Sequence, residues 1–173
     1  MGWNRKGFTL VELMVVVAII GIMAAVSAFS ALEVLPRYQL HAAARDFSGH
    51  LRLARKNAIQ STQNVRIVFD QARNSYSIGE QTVPYRGTLA SHYGGGVCFG
   101  FGLATRSAAS PSSRLPASPV TFQGKTPMVT FNQRGLSNAG SAYFANRRGE
   151  CCAVVVSTSG RIRMRVWTGK KWR

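Results

Sequence analysis

Few side chains in this sequence have the types and spacing that acid–base chemistry requires. There are three histidines and six acidic residues among 173. Asp46 and His50 are four positions apart, which places them on one face of a helix, where the carboxylate could orient the imidazole. Ser48 lies on the same helix, and a nucleophile must reach its base from another direction. We therefore expect a solvated ion pair, and we predict no catalytic residues and no cofactor.

The cysteines lack the spacing of a metal site. Cys151 and Cys152 are adjacent and Cys98 is distant, so there is no C-x2-C pair, and the histidines are few. The sequence therefore predicts no bound metal.

The C-terminal stretch, residues 160–173, concentrates positive charge, with six cations and no acid. In a strand, arginine at every second position forms one row with cations about 6.6 Å apart, comparable to the ~7 Å between phosphates of an extended strand. Trp167 and Trp172 could stack on exposed bases. The candidate DNA-binding residues are Arg161, Arg163, Arg165, Lys170, Lys171 and Arg173. The alternative is a last strand whose cations are solvated or protect a sheet edge from aggregation.

The overall charge is consistent with an anionic partner. The chain has 22 Lys and Arg against 6 Asp and Glu, a net charge of +16. Only 16% of residues are charged and 46% are hydrophobic, so the chain can form a core and disorder is excluded. Nucleic acid, lipid headgroups or an acidic protein would each be electrostatically complementary to this positive charge.

A long apolar stretch follows the N-terminus. Residues 8–32 contain no Lys or Arg, and at about 1.5 Å per residue a helix of this length spans roughly 37 Å, enough for the ~30 Å core of a bilayer. A buried helix of a soluble protein would need core on every side. A cleavable secretory signal is the other alternative, but the stretch is long for one and contains an ionised residue, Glu12.

The segment GFTLVEL at positions 7–13, after Arg5 and Lys6, resembles the type IV prepilin (class III) signal. The resemblance implies that a membrane-bound prepilin peptidase cuts between Gly7 and Phe8 and methylates the new N-terminus of Phe8. It also implies that Glu12 pairs with the N-terminal amine of a neighbouring subunit and so directs filament assembly. The alternative for Glu12 is a side chain that extends to the cytoplasmic interface.

The same resemblance implies where the chain lies. It predicts a single-pass protein of the bacterial inner membrane, with its leader in the cytoplasm and its head in the periplasm or in a surface filament. Other pilins would be its partners through the N-terminal helix. Because disulfides persist outside the cytoplasm, Cys98 could then pair with Cys151 or Cys152.

The helix is expected to continue after the apolar stretch, to about residue 61. Pro36 should kink or restart it. Beyond Pro36 an apolar stripe recurs at steps of four and three, which predicts an amphipathic helix; its residues are Leu40, Ala44, Phe47, Leu51, Ala54 and Ala58. We therefore predict a leader at 1–7, a transmembrane assembly helix at 8–35, a stalk helix at 36–63 and a β-rich head at 64–173.

In the head, apolar residues recur at every second position, which is typical of β-strands. Residues 65–69 and 76–78 are predicted to form a hairpin, and further strands are expected at 120–122, 128–131, 141–144, 153–157 and 162–167. Glycine, serine and proline between 94 and 119 predict a long surface excursion. The fold class is α+β, with a long helix packed on a small antiparallel sheet assembly.

One segment of the stalk helix, 42–59, and three segments of the head, 65–67, 129–135 and 155–163, are similar to the pseudopilin H and FimT/FimU minor-pilin group. That resemblance implies a helix packed against two β-sheets and a non-enzymatic subunit of a type II secretion pseudopilus or a type IV pilus. Some members of the FimT branch are implicated in DNA capture, so a DNA-binding minor pilin for natural transformation is the alternative function. An ordinary exported single-pass protein is a third possibility.

Overall fold

The computed structural model describes residues 8–79, 81–83, 88–110, 112–124 and 126–173, with side chains described outside 26–32 and 81–83. The chain divides into two compact units, one ending at Leu35 and the other running from Pro36 to Arg173. Among the described residues, no helix combines the length and apolarity needed to cross a membrane. The predicted spanning segment includes positions 26–32, whose side chains lie outside the described part.

The first element is a single long helix, α1 (Leu10–Ser61), which contains Pro36 without interruption. Thr9 caps its start, because the Thr9 Oγ1 accepts a hydrogen bond from the backbone N–H of Glu12 at 3.2 Å. In the first unit, the large apolar side chains of α1 are exposed, from Leu10 at 75% to Met23 at 66%, and so is Phe8 before the helix at 82%. A helix that is apolar on all sides needs another apolar surface to cover it.

In the second unit, the predicted apolar stripe of α1 is buried, which confirms the helical periodicity. All six residues of the stripe are at most 1% exposed. Phe47 lies at the centre of this core, with ring centroids 5.6 Å from Phe69, 5.0 Å from Tyr76 and 5.4 Å from Phe144. Because these partners come from both β-sheets, one helix face holds the two sheets together.

The described part of the chain forms eight strands, β1 (Val65–Asp70), β2 (Ser75–Ile78), β3 (Gln81–Val83), β4 (Cys98–Phe99), β5 (Met128–Phe131), β6 (Gly140–Ala145), β7 (Cys151–Val156) and β8 (Ile162–Val166). A short helix, α2 (Leu89–Tyr93), lies between β3 and β4 in the chain. These strands form two antiparallel, four-stranded sheets, with the orders β3-β2-β1-β5 and β4-β6-β7-β8. The expected fold class, α+β with an N-terminal helix packed on antiparallel sheets, is therefore confirmed.

The prediction of a surface excursion over 94–119 is wrong in part. Cys98 and Phe99 form β4 against β6, and Val97 is fully buried in the main core. Ala104 and Ala108 are buried in a second core on the outer face of the β6–β7 sheet. The expected strand at 120–122 is also reduced to an isolated bridge between Val120 and Ala142, although its apolar side chains are buried.

Candidate functional site

The N-terminal motif lies at the start of α1. Gly7, on one side of the predicted cleavage point, is outside the described residues, whereas Phe8 and Glu12 are both exposed. Thr9 and Glu12 have the spacing of a capping box, and the structure shows the half of it in which Thr9 accepts from the backbone N–H of Glu12. This local signal for the start of a helix was also present in the sequence. Cleavage, methylation and assembly at these residues stay predictions.

The C-terminus folds as a tight hairpin instead of a free basic tail. Val166 and Arg173 exchange two backbone hydrogen bonds, at 2.8 and 3.0 Å. Trp167 and Trp172 are only 8% and 9% exposed, and their rings pack against each other at 5.3 Å in the second core. The indole N–H of Trp172 donates to the Arg106 carbonyl at 2.8 Å. The prediction that these tryptophans stack on exposed bases is therefore wrong, because their faces cover the sheet.

The hairpin and the edge strand β8 nevertheless display most of the predicted cations. Arg163, Lys170, Lys171 and Arg173 are exposed, and Arg165 is half-buried beside Ala153 of β7. The intervening apolar residues, Ile162, Met164 and Val166, pack against the main core. Strand alternation therefore places Arg163 and Arg165 on the outer face, as predicted.

Arg161 is placed differently from the other arginines. It precedes β8 and lines an open groove of about 580 Å³ between the turn that leads into β8 and the C-terminal part of α1. The cations across this groove are Arg52, Arg55 and Lys56 of α1. Strand β8 begins at Ile162, so Arg161 lies just before the strand that carries Arg163 and Arg165, and the groove places it among the cations of α1. Arg161 and the cations of α1 are far apart in the sequence, and only tertiary packing brings them together.

Two glycines make the close approach at the groove possible. A Cβ on Gly160 would lie 2.0 Å from the carbonyl oxygen of Gly135, and both residues have positive φ, +71° and +73°. The Nε of Arg55 donates to the same carbonyl at 3.0 Å. The turn before β8, the loop after β5 and helix α1 therefore meet at one point, which fixes Arg55.

The expected ion pair between Asp46 and His50 is wrong. Instead, the hydroxyl of Tyr93 donates to the Asp46 carboxylate at 3.0 Å, and the Nδ1 of His50 lies 2.8 Å from the hydroxyl of Tyr76. Burial raises the pKa of Tyr76, so its hydroxyl keeps its proton, and the tautomer of His50 sets which of the two groups donates in their hydrogen bond. Burial lowers the pKa of His50, against the opposing influence of Asp46, and this favours the neutral form.

Two protein families match this sequence. The prokaryotic N-terminal methylation motif matches residues 4–28. The family described as type II transport protein GspH matches residues 43–160, which extend from α1 to the turn before β8 and include Gly135 and Gly160. The chain belongs to the GspH family. The resemblance stated from the sequence is therefore confirmed.

Two solved structures are similar to this GspH-family chain. Both are crystal forms of the type IV minor pilin FimU from Pseudomonas aeruginosa strain PAO1. The first is 20% identical, with a TM-score of 0.43, and the match covers 79% of this chain and 94% of FimU. The second is 18% identical, with a TM-score of 0.42, and covers 78% and 97%. No curated protein gives a significant sequence match.

The disulfide prediction is wrong, because Cys98, Cys151 and Cys152 are free cysteines. The strand register explains this. Cys98 and Cys151 both pair with Ala145 of β6, so a whole strand separates them, and strands lie about 4.8 Å apart. A disulfide needs a Cα separation below about 7 Å. Burial raises the pKa of all three thiols, to about 12 for Cys152, so these groups are poor nucleophiles.

The described residues contain no group of three or more His, Cys, Asp or Glu side chains that could hold a metal ion.

Proposed function

We propose that this chain is a minor pseudopilin of a type II secretion system, a non-enzymatic subunit that assembles through its N-terminal helix into a pilus-like filament for protein secretion. The observation that carries the proposal is the N-terminal methylation motif, which continues into an exposed apolar helix. The GspH family match in the head supports the same role. A type IV pilus is the related system to which such a subunit could also belong.

The proposal assigns a role to each residue of the motif. Prepilin peptidase cuts between Gly7 and Phe8, and the new amine of Phe8 is methylated. The helix holds the chain in the inner membrane as a single pass, with the leader in the cytoplasm and the head in the periplasm, until the subunit enters the filament. There, the Glu12 carboxylate pairs with the N-terminal amine of a neighbouring pilin. In an apolar environment this pair is strong and depends on geometry, so it selects one register.

The experiment that tests processing is an intact-mass and N-terminal sequence measurement. The full chain is co-expressed with a prepilin peptidase and purified in detergent. We expect a chain that begins at methylated Phe8, and we expect Gly7→Leu to block this cut. A chain that retains Met1, or one that begins near Phe29, would instead indicate an ordinary exported protein.

The exposed cations of β8 and the C-terminal hairpin support a second candidate, a pilus-tip subunit that binds DNA for uptake. If six phosphates are engaged, the logarithm of affinity falls with the logarithm of salt concentration at a slope of about −5. The test is a salt titration of DNA binding by the full chain in detergent micelles. A slope of zero, or binding that is unchanged in the pair Arg163→Gln and Lys171→Gln, eliminates this candidate.

A further inference from the structure

The groove between α1 and the turn before β8 is strongly cationic. Arg52, Lys56 and Arg161 are exposed, Arg55 is half-buried, and none of the described residues that line the groove is acidic. Among the described residues, no carboxylate lies within salt-bridge distance of these four cations. Three of them lie within one helical turn of α1, where neighbours at three and four positions stand about 5–6 Å apart. Such like charges repel, so an anion in the groove would relieve the repulsion.

One of these cations is held in place before any ligand arrives. The Nε of Arg55 donates to the Gly135 carbonyl, which leaves the two terminal nitrogens of its guanidinium to bind a ligand. A planar guanidinium in a fixed orientation suits a carboxylate, which it can bind through two parallel hydrogen bonds. Because the side chain is already ordered, binding loses less conformational entropy.

The apolar residues of the groove indicate which anion it fits. Among the described residues, Ile59, which is 48% exposed, and Ile162 are the apolar residues that line the groove, and none of its lining residues is aromatic. Single-stranded nucleic acids are bound by cations together with aromatic side chains on which the bases stack. Aliphatic lining residues instead suit the aliphatic side chains of a peptide. Protein–protein interfaces have the same arrangement, an apolar centre surrounded by a polar rim.

A second copy of this chain is a poor occupant. The net charge of the whole chain is +16, with only six acidic residues, so two copies repel each other. We propose that the groove binds an acidic segment of a different protein, one in which carboxylates alternate with aliphatic residues. This proposal goes beyond the assembly role, which depends on the N-terminal helix, and its test does not involve filament formation.

The test measures binding of three fluorescein-labelled probes to the full chain in detergent micelles, by fluorescence anisotropy. The first probe is a short peptide in which glutamates alternate with leucines. The second has the same glutamates but serines in place of the leucines. The third is an oligothymidylate of equal charge. The groove variant is Arg52→Gln with Lys56→Gln, two exposed side chains. The matched control, Lys170→Gln with Lys171→Gln, removes the same charge from the C-terminal hairpin.

We expect the groove variant to weaken binding of the glutamate–leucine peptide by about tenfold, and the control variant to change it by less than about twofold. The serine probe should bind more weakly than the leucine probe, and Ile59→Ala should remove that difference. Equal losses in both variants, or equal binding of the two peptides, would overturn the proposal. Tighter binding of the oligothymidylate, reduced by the groove variant, would also overturn it and indicate a nucleic-acid surface.

Discussion

Replacing Gly160 with alanine should destabilise the head more than the same change at Gly169. Both glycines have positive φ, +71° and +88°, so alanine pays a backbone cost of about 1–2 kcal/mol at either position. At Gly169 a Cβ meets no atom of the described residues within 4 Å, whereas at Gly160 it would lie 2.0 Å from the backbone oxygen of Gly135. Because that contact is with backbone, an alanine at Gly160 forces the turn before β8 away from the loop after β5.

Overpacking of this kind costs about 1–3 kcal/mol in addition, so we expect a total of about 2–5 kcal/mol for Gly160→Ala and about 1–2 kcal/mol for Gly169→Ala. For a chain of this size each kcal/mol lowers Tm by about 2–4 °C. The measurement is thermal unfolding of the full chain in detergent micelles, followed by the fluorescence of the buried tryptophans Trp167 and Trp172.

Equal losses of Tm for Gly160→Ala and Gly169→Ala would refute the inference that the turn before β8 packs directly against the loop after β5. A double-mutant cycle with Arg55→Met provides a second check. Because the Arg55 Nε binds the same Gly135 carbonyl that an alanine at Gly160 displaces, the two changes should cost less together than the sum of their separate costs. Strict additivity would mean that Arg55 is not held by that turn.

Two further predictions concern the core and its histidine. Phe47→Ala should lower the free energy of unfolding, measured in urea, by about 3–5 kcal/mol, because Phe47 is fully buried. The control Leu53→Ala on the same helix, at a side chain that is 52% exposed, should lower it by well under half of that. Similar losses would mean that α1 does not pack through the face that carries Phe47. The pKa of His50 is lowered below its usual 6.5, so the unfolded chain binds more protons in that range, and stability should fall as pH decreases through 6.5 towards the folded pKa. His50→Gln should reduce this pH dependence; an unchanged profile in His50→Gln would mean that burial does not favour the neutral imidazole.

Elements with a clear period were predictable from the sequence. The helical stripe of α1 and the β1–β2 hairpin both have apolar residues at regular intervals, and the structure buries them at the core. The segment between 94 and 119 was harder, because its structure depends on partners far along the chain. Val97 and Ala108 are buried in cores formed by residues far from them in the chain, and nothing in the local composition shows that.

The candidate site shows the same limit. The alternation of Arg163 and Arg165 was visible in the sequence, since strand geometry is local. The burial of Trp167 and Trp172 was not, because it requires the C-terminal hairpin to close and the indole of Trp172 to reach Arg106. Likewise, Arg161 joins the α1 cations only through tertiary packing.

The most direct test of the assembly proposal is recovery of the chain in sheared filaments from its host cells. We expect the unaltered chain in the filament fraction together with other pilins. Glu12→Gln should be processed and remain in the membrane but be lost from filaments, while Glu33→Gln, at the other glutamate of the first unit, should assemble. Absence of the unaltered chain from filaments, or assembly of Glu12→Gln at the same level, would contradict the account.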